Sequence, residues 1–339
     1  MKISAVQKAD FFSKAGEIVT GRRADYELES TEGGVIIAKY MGSPDEEDII
    51  VPNIISGRRV IGIGEDAYRG LDMRTIKISD GIKYIRDAAF AECKKLVKVT
   101  LPETLKRLGS VRTSKSKPLP EKSPLGVFQL CSALQIIELP GQLTYLGRFT
   151  FRDCSSLRSI SLPDNITEIR SNTFYRCKAL ETIVLPKRLT AIGAHSFTGC
   201  EKLADIGSFP PHLREIGFMA FCDCHNLKAV VFPSSLRKIG AYAFSRCISL
   251  TEAVMNKGLQ EIGERAFHDC TSLTCALLPE TITNIEASSN DTDIFVVSDK
   301  SGGYTKNDKL TIYCYSDSYG LKYAWKFGYP VQNALKYKK

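Results

Sequence analysis

Cys177-Lys-Ala-Leu180-Glu-Thr-Ile183-Val-Leu185-Pro186-Lys-Arg-Leu189-Thr-Ala-Ile192-Gly193-Ala-His195-Ser-Phe197-Thr-Gly-Cys200 is the stretch that decides the fold. It runs from one cysteine to the next in 23 residues, and its pattern is C-x-x-L-x-x-I-x-L-P-x-x-L-x-x-I-G-x-x-A-F-x-x-C. The same frame returns at Cys154 with Leu157, Ile160, Leu162, Pro163, Ile166, Ile169 and Phe174. It returns again at Cys247 with Leu250, Leu259, Ile262, Gly263 and Phe267. Self-similarity at a fixed step of this length is the signature of a solenoid.

Each position has a physical reason. Ile183 and Leu185 alternate at period two, which fits a short strand with one buried face. Pro186 ends it, since proline cannot donate to a continuing ladder. Leu189 and Ile192, three apart with polar residues between, suit a tight turn of the coil, and Gly193 supplies a bend. Arg86 and Arg170 occupy the glycine position elsewhere, so a positive φ is not required there. Phe197 is the large core wedge. The aromatic anchors Tyr68, Phe90, Phe128, Phe151, Phe174, Phe197, Phe221, Phe244 and Phe267 count nine units. No unit can bury its apolar side alone, so stacking must supply the core. Helical armadillo-like repeats are longer and lack the I-x-L-P strand. The expected fold is therefore a right-handed leucine-rich-repeat solenoid, mainly β plus turns and short helices, with short parallel strands on one face.

The frame also governs the cysteines. Cys131, Cys154, Cys177 and Cys200 recur at 23-residue steps, and Cys224, Cys247 and Cys270 continue after one step of 24. A thiol once per coil reads as a small buried apolar residue. Zinc sites need paired ligands a few residues apart, so no metal and no cofactor is expected. Cys222-Asp-Cys224-His225 is the one dense cluster, but Cys224 belongs to the ladder and no second ligand pair exists. Cys222 and His225, adjacent in one turn, make a poor nucleophile–base pair. His195 and His268 fall beside the Phe anchors, where solvated side chains are expected; His212 carries no motif. With no phosphate loop, H-E-x-x-H or G-x-S-x-G present, the chain is not expected to be an enzyme.

Composition is that of an ordinary soluble globular protein. Of 339 residues, 43% are hydrophobic and 25% charged, with a net charge of +8 spread through the repeats. Nucleic acid is an unexpected partner, because it requires a clustered basic stripe. No run of 18 apolar residues exists, so no transmembrane helix is expected. The first 30 residues show no signal-peptide core. The expectation is a cytoplasmic protein if Met1 is the native start.

The pattern breaks at three places. Between Gly109 and Val127 the unit is lengthened by 15 residues into a basic, proline-rich loop over 111–126. Its Arg112, Lys115, Lys117 and Lys122 are candidate contacts for an acidic polymer. One extra residue within Asp205-Ile-Gly-Ser-Phe-Pro-Pro predicts a local bulge. The ends are atypical, as solenoid caps must be. Residues 1–25 form an extension, and 26–57 hold a cap hairpin with a glycine turn and the first coil. The repeats run over 58–285, and 286–339 form the closing cap. That cap is expected to contain a strand at Leu310-Thr-Ile-Tyr-Cys-Tyr and a short helix over 319–327. Its aromatic residues, Trp325 among them, are expected to form a lid on the open core.

The frame Leu185-Pro-Lys-Arg-Leu-Thr-Ala-Ile-Gly-Ala-His-Ser-Phe-Thr-Gly-Cys-Glu-Lys-Leu203 resembles the BspA-type leucine-rich-repeat family of bacterial proteins. The opening segments Ile37-Ala-Lys-Tyr-Met-Gly-Ser and Val51-Pro-Asn resemble its first coil. Leu310-Thr-Ile-Tyr and Tyr323-Ala-Trp-Lys-Phe-Gly resemble its last, so the likeness covers about residues 26 to 333. The resemblance implies a curved solenoid and, for many members, a cell-surface or secreted role in adhesion to host proteins or other cells. It brings no catalytic residues. The chain departs from it in showing no export signal and no wall anchor.

A binding face follows from strand alternation. If Leu180, Ile183 and Leu185 point inward, Thr182 and Val184 point outward. The same frame turns out Lys98 and Thr100, Ile136 and Glu138, Ser159 and Ser161, then Ala229 and Val231, Glu252 and Val254, Cys275 and Leu277. The face passes from polar early coils to apolar late ones. Val184, Ala229, Val231, Glu252, Val254 and Leu277 are thus the candidate partner site, an exposed apolar stripe. It would meet an unidentified protein partner or a second copy of the chain as a homodimer, unless the C-terminal segment folds over it.

Overall fold

The structure is a computed structural model and describes residues 17–110, 125–285, 293–299 and 301–337. The chain winds into a β-solenoid of about 12 turns, with mostly parallel strands. The hairpin Tyr26–Thr31 and Gly34–Tyr40 is antiparallel, and its second strand pairs in parallel with Arg58–Ile63, so it covers the first rung.

Two ladders run along the solenoid. The first carries the expected strands. Its segments are Asp48–Val51 through Ile136–Ile137, Ser159–Ser161 with Thr182–Val184, and Ala229–Phe232 through Val331–Asn333. The break after Val184 coincides with the extra residue near Asp205. There a single bridge, Thr182 to Asp205, is all that carries the ladder forward. The second ladder is a departure from the one-face expectation. Pairs such as Glu168–Ile169, Ala191–Ile192, Glu215–Ile216 and Lys238–Ile239 hydrogen-bond in register from coil to coil. Leu189 and Ile192 therefore do not share one tight turn. Leu189 closes a β-turn by donating its N–H to the Pro186 carbonyl at 3.1 Å, and Ile192 lies in the strand that follows.

The third side of each coil is a succession of turns around the aromatic anchor. In most coils the residues two places before and after the anchor adopt positive φ, as Asn172 and Arg176 do around Phe174, and Tyr242 and Arg246 around Phe244. The rings form one column through the molecule. From Tyr40 through Tyr68 and Phe90 to Phe267 and Phe295, neighbours stack with centroids 5.0–5.7 Å apart. Offset stacking at this distance suits the ring quadrupoles and adds to area burial.

Beside the rings stand the thiols. Cys93, Cys131, Cys154, Cys177, Cys200, Cys224, Cys247 and Cys270 are buried and free. Each S–H donates to the carbonyl of the aromatic anchor one coil earlier. Cys177 reaches Phe151 O at 3.0 Å, and Cys200 reaches Phe174 O at 3.2 Å. The repeated cysteine is thus more than a small apolar filler, because it occupies the second lone pair of a buried carbonyl. That carbonyl already accepts the N–H of the cysteine three residues on, as Phe174 O does from Cys177. Buried hydroxyls at the place before the anchor are satisfied likewise, Thr173 on Arg170 O at 2.7 Å and Ser196 on Gly193 O at 2.6 Å.

The glycine after the second strand has a reason other than a bend. Gly193, Gly217, Gly240 and Gly263 stack where successive backbones approach closely. A Cβ on Gly240 would stand 2.6 Å from the carbonyl carbon of Gly217. The requirement is space, not φ.

At the far end, Thr311–Cys314 continues the first ladder and Tyr319–Lys326 is an α-helix capped by Ser318. The lid on the core is built by Tyr323 and Tyr329, edge-on to Phe295 at 6.3 and 6.1 Å. Trp325 is exposed and takes no part in it.

Candidate functional site

Strand alternation places the predicted residues on the outer side of the first ladder. Ile183 is buried, and Thr182 and Val184 face solvent, with Val184 61% exposed. Along the ladder, Val231, Val254, Leu277 and Tyr313 lie in one register column. Ala229, Glu252 and Cys275 form the column beside it.

The two halves of this face differ. In the late coils the stripe is apolar but not exposed, which corrects the expectation for Val254 and Leu277. They are only 3% and 8% exposed. The chain's own C-terminus covers them. Val331–Asn333 adds in parallel to Thr311–Cys314, and the 3-10 turn Ala334–Lys336 then crosses the face. Ala334 is buried against Val254 and Leu277, with Val231, Tyr313, Tyr315 and Tyr337 packed around them. Tyr337 meets Tyr313 edge-on at 5.3 Å, and its hydroxyl donates to the Glu252 carboxylate. Apolar outward residues at the end of a solenoid are thus explained by a covering segment, which the repeat frame does not contain.

In the middle coils the face is open. Val184 and Ile136, which is 49% exposed, are separated by exposed Ser159, Ser161 and Thr182, small and uncharged. Ala229 is exposed and Val231 half-buried at the border of the covered region. The first coils present polar groups instead, such as the Thr75 hydroxyl on Asp48 at 2.7 Å. The loop candidates Arg112, Lys115, Lys117 and Lys122 lie outside the described residues.

A second surface feature escaped the repeat frame. On the turn side runs an outer row of rings, Tyr175, His195, Phe218, Tyr242, His268 and Tyr304. Consecutive members meet edge-on with centroids 5.2–6.4 Å apart. Arg152 stacks over Tyr175 at 4.8 Å and Arg265 over Tyr304 at 4.4 Å. His195 and His268 are half-buried in this row, not freely solvated as expected. Burial lowers the pKa of both, so the imidazoles stay neutral at pH 7. The row was hidden because its members shift between positions before and after the anchor from one coil to the next.

In the Cys222–His225 cluster both side chains turn to Asp223, whose Oδ2 accepts from Cys222 Sγ at 3.5 Å. His225 Nε2 faces Asp223 Oδ1 at 3.5 Å, and Arg246 Nε holds the same oxygen at 3.0 Å. Burial, with Asp223 beside it, pushes the Cys222 thiol up to about 12. Among the described residues no group of three or more His, Cys, Asp and Glu side chains is placed to hold a metal. All eleven thiols are free, and only Cys275 is partly exposed. A native thiol titration with a disulfide reagent at pH 8 is therefore expected to modify at most one cysteine, slowly, with all eleven reacting after denaturation. One fast-reacting thiol in the native protein would contradict this.

No helix among the described residues is long and apolar enough to cross a membrane. Comparison with known families matches six copies of the BspA type leucine rich repeat region, over residues 51–119, 124–217 and 207–292. Among solved structures, the chain is similar to a leucine-rich repeat protein from Bacteroides ovatus. Identity is 23%, covering 86% of this chain and 70% of that one, with a TM-score of 0.66. It is also similar to a leucine rich repeat protein from T. pallidum, at 21% identity over 67% and 89% of the two chains, TM-score 0.46. A leucine rich cell surface protein from Faecalibacterium prausnitzii shares 19% identity over 79% and 94%, TM-score 0.44. Among curated proteins, none matches the chain.

Proposed function

This chain belongs to the BspA-type leucine-rich-repeat family, and from that premise we propose that it is a non-catalytic, adhesion-type protein-binding module. Its contact surface is the open middle of the first-ladder face, from Ile136 through Val184 to Ala229 and Val231. One observation carries the reading. Val184 and Ile136 are large apolar side chains held 61% and 49% exposed on the strand face, with Ser159, Ser161 and Thr182 between them and exposed Glu138 at the edge beside Ile136. Nothing in the packing of the described residues requires them to be apolar, and apolar anchors on a strand face are what partner proteins bury.

The test is the double variant Ile136→Glu with Val184→Glu. Both side chains already face water, so the unfolding free energy is expected to change by no more than about 0.5 kcal/mol per site. Retention of the purified chain on immobilised cell-surface protein extracts is expected to fall at least about tenfold. Unchanged retention would remove this surface from consideration. The same exposed pair supports a second reading, self-assembly through a two-fold contact. The two readings separate by solution mass, which under self-assembly rises with concentration for the wild type and not for the double variant.

A further inference from the structure

The covered half of the face shows what kind of ligand the surface takes, because a piece of polypeptide already sits on it. Val331–Asn333 pairs in parallel with Thr311–Cys314 and Val331 packs against the core, whereas the contacts of residues 334–337 are few and separable from it. Val254, Leu277 and Ala334 form a cluster of their own, distinct from the continuous core of the coils. Ala334 contributes a single methyl group, and Tyr337 contributes a ring edge on Tyr313 and a hydroxyl on Glu252. The rest of the segment faces water: Gln332, Asn333 and Lys336 are exposed, and Leu335 is 80% exposed. Beneath it, Val254 and Leu277 are covered by Ala334 and the surrounding tyrosines, while Val231 at the end of the column stays half-buried. Segments held by so few buried contacts open locally without unfolding the domain.

We infer that residues 331–337 are a self-ligand on a peptide-docking site formed by Val231, Val254, Leu277, Tyr313 and Glu252. The fitting partner is an extended polypeptide that presents an aliphatic residue where Ala334 sits and a hydroxyl-bearing aromatic three residues later, to reach Glu252. Such a partner displaces the tail by also covering half-buried Val231, a shift of population between two occupants of one site. This inference rests on the reading of the ladder face as a protein-binding surface, and its site adjoins the open stretch at Val231.

The test uses the full chain and a fluorescent peptide with the sequence of residues 330–337 as probe. In the wild type the tail competes at an effective concentration on the order of millimolar, so peptide binding is weak. Ala334→Glu and, separately, Tyr337→Ala loosen the tail, and each is expected to bind the peptide at least about tenfold more tightly than the wild type. Adding Glu252→Gln to Ala334→Glu is expected to reverse the gain, as is a peptide carrying phenylalanine in place of its tyrosine. Replacing the peptide's alanine by leucine is expected to strengthen binding. Val184→Glu leaves peptide binding unchanged, so loss of the open-face function and loss of this site read out separately. Equal peptide binding by the wild type, Ala334→Glu and Tyr337→Ala overturns the inference, and so does binding that ignores Glu252.

Discussion

Phe174→Ala is expected to lower the unfolding free energy by about 3–5 kcal/mol, measured by urea denaturation followed by circular dichroism. The Phe174 ring is fully buried and stacked between Phe151 at 5.4 Å and Phe197 at 5.3 Å. Truncation deletes two ring–ring contacts and leaves a cavity that the neighbouring coils cannot close. Each coil is held in place by hydrogen bonds to the coils on either side, such as Phe174 N–H to Ser196 O at 2.8 Å. The backbone bonds survive the substitution, including the Cys200 thiol on Phe174 O. The loss is thus one of packing. A solenoid transmits stability only between neighbours, so a weakened central rung also uncouples the blocks on either side. The denaturation curve is expected to broaden or split, while the wild type unfolds more cooperatively. Phe218→Ala is the control, because Phe218 lies in the outer row and is exposed. Its expected cost is below about 1 kcal/mol. Equal losses for the two variants would mean that the buried column is not the main support of the core.

The column shows how far the repeat frame carries. Spacing alone located nine of its rings, because identical positions one coil apart must stack. It missed Tyr40 and Phe295, which occupy the same column. Tyr40 belongs to the hairpin and Phe295 follows a polar stretch, so neither falls on the 23-residue step. The second ladder was missed for another reason. A two-residue strand such as Ala191–Ile192 is too short to show alternation, and it is a strand only because Glu168–Ile169 and Glu215–Ile216 lie against it. The cysteines were legible as core residues but not as donors, since the accepting carbonyl lies in the previous coil. On the binding face, the outward direction of Val184 followed from period two. The burial of Val254 and Leu277 did not, because it depends on a tail whose path no repeat encodes.

Asp293→Ala is expected to destabilise the closing cap by about 2–4 kcal/mol, through the loss of an acceptor that three buried donors share. Phe295, the last ring of the column, has no further coil to stack on. Tyr323 and Tyr329 close it edge-on, and both hydroxyls donate to the Asp293 carboxylate. The Phe295 N–H donates to the same group at 2.9 Å. Without it, two phenol O–H groups and an amide N–H lose their acceptor beside an apolar ring, although the Tyr323 oxygen still accepts from Ile294 N–H at 2.9 Å. Burial raises the Asp293 pKa above its ordinary 3.8 despite these hydrogen bonds. The native state therefore holds this proton more tightly than the unfolded chain, and the group's contribution to stability rises as pH falls through the raised pKa. Asp293→Asn keeps one acceptor, cannot ionise, and is expected to cost no more than about 1 kcal/mol at pH 7. The wild type is expected to gain on Asp293→Asn as the pH is lowered. A pH-independent difference between the two would show that the ionised carboxylate carries no burial penalty. Tyr329 stands two residues before Val331, where the tail turns onto the ladder face. Hydrogen exchange in Asp293→Ala is accordingly expected to quicken across 331–337 as well as 293–299, with the coils from Tyr68 to Phe244 unchanged. Quickening confined to 293–299 would mean that the tail is anchored without the cap. In that case the docking of Ala334 and Tyr337 alone would keep Val254 and Leu277 covered.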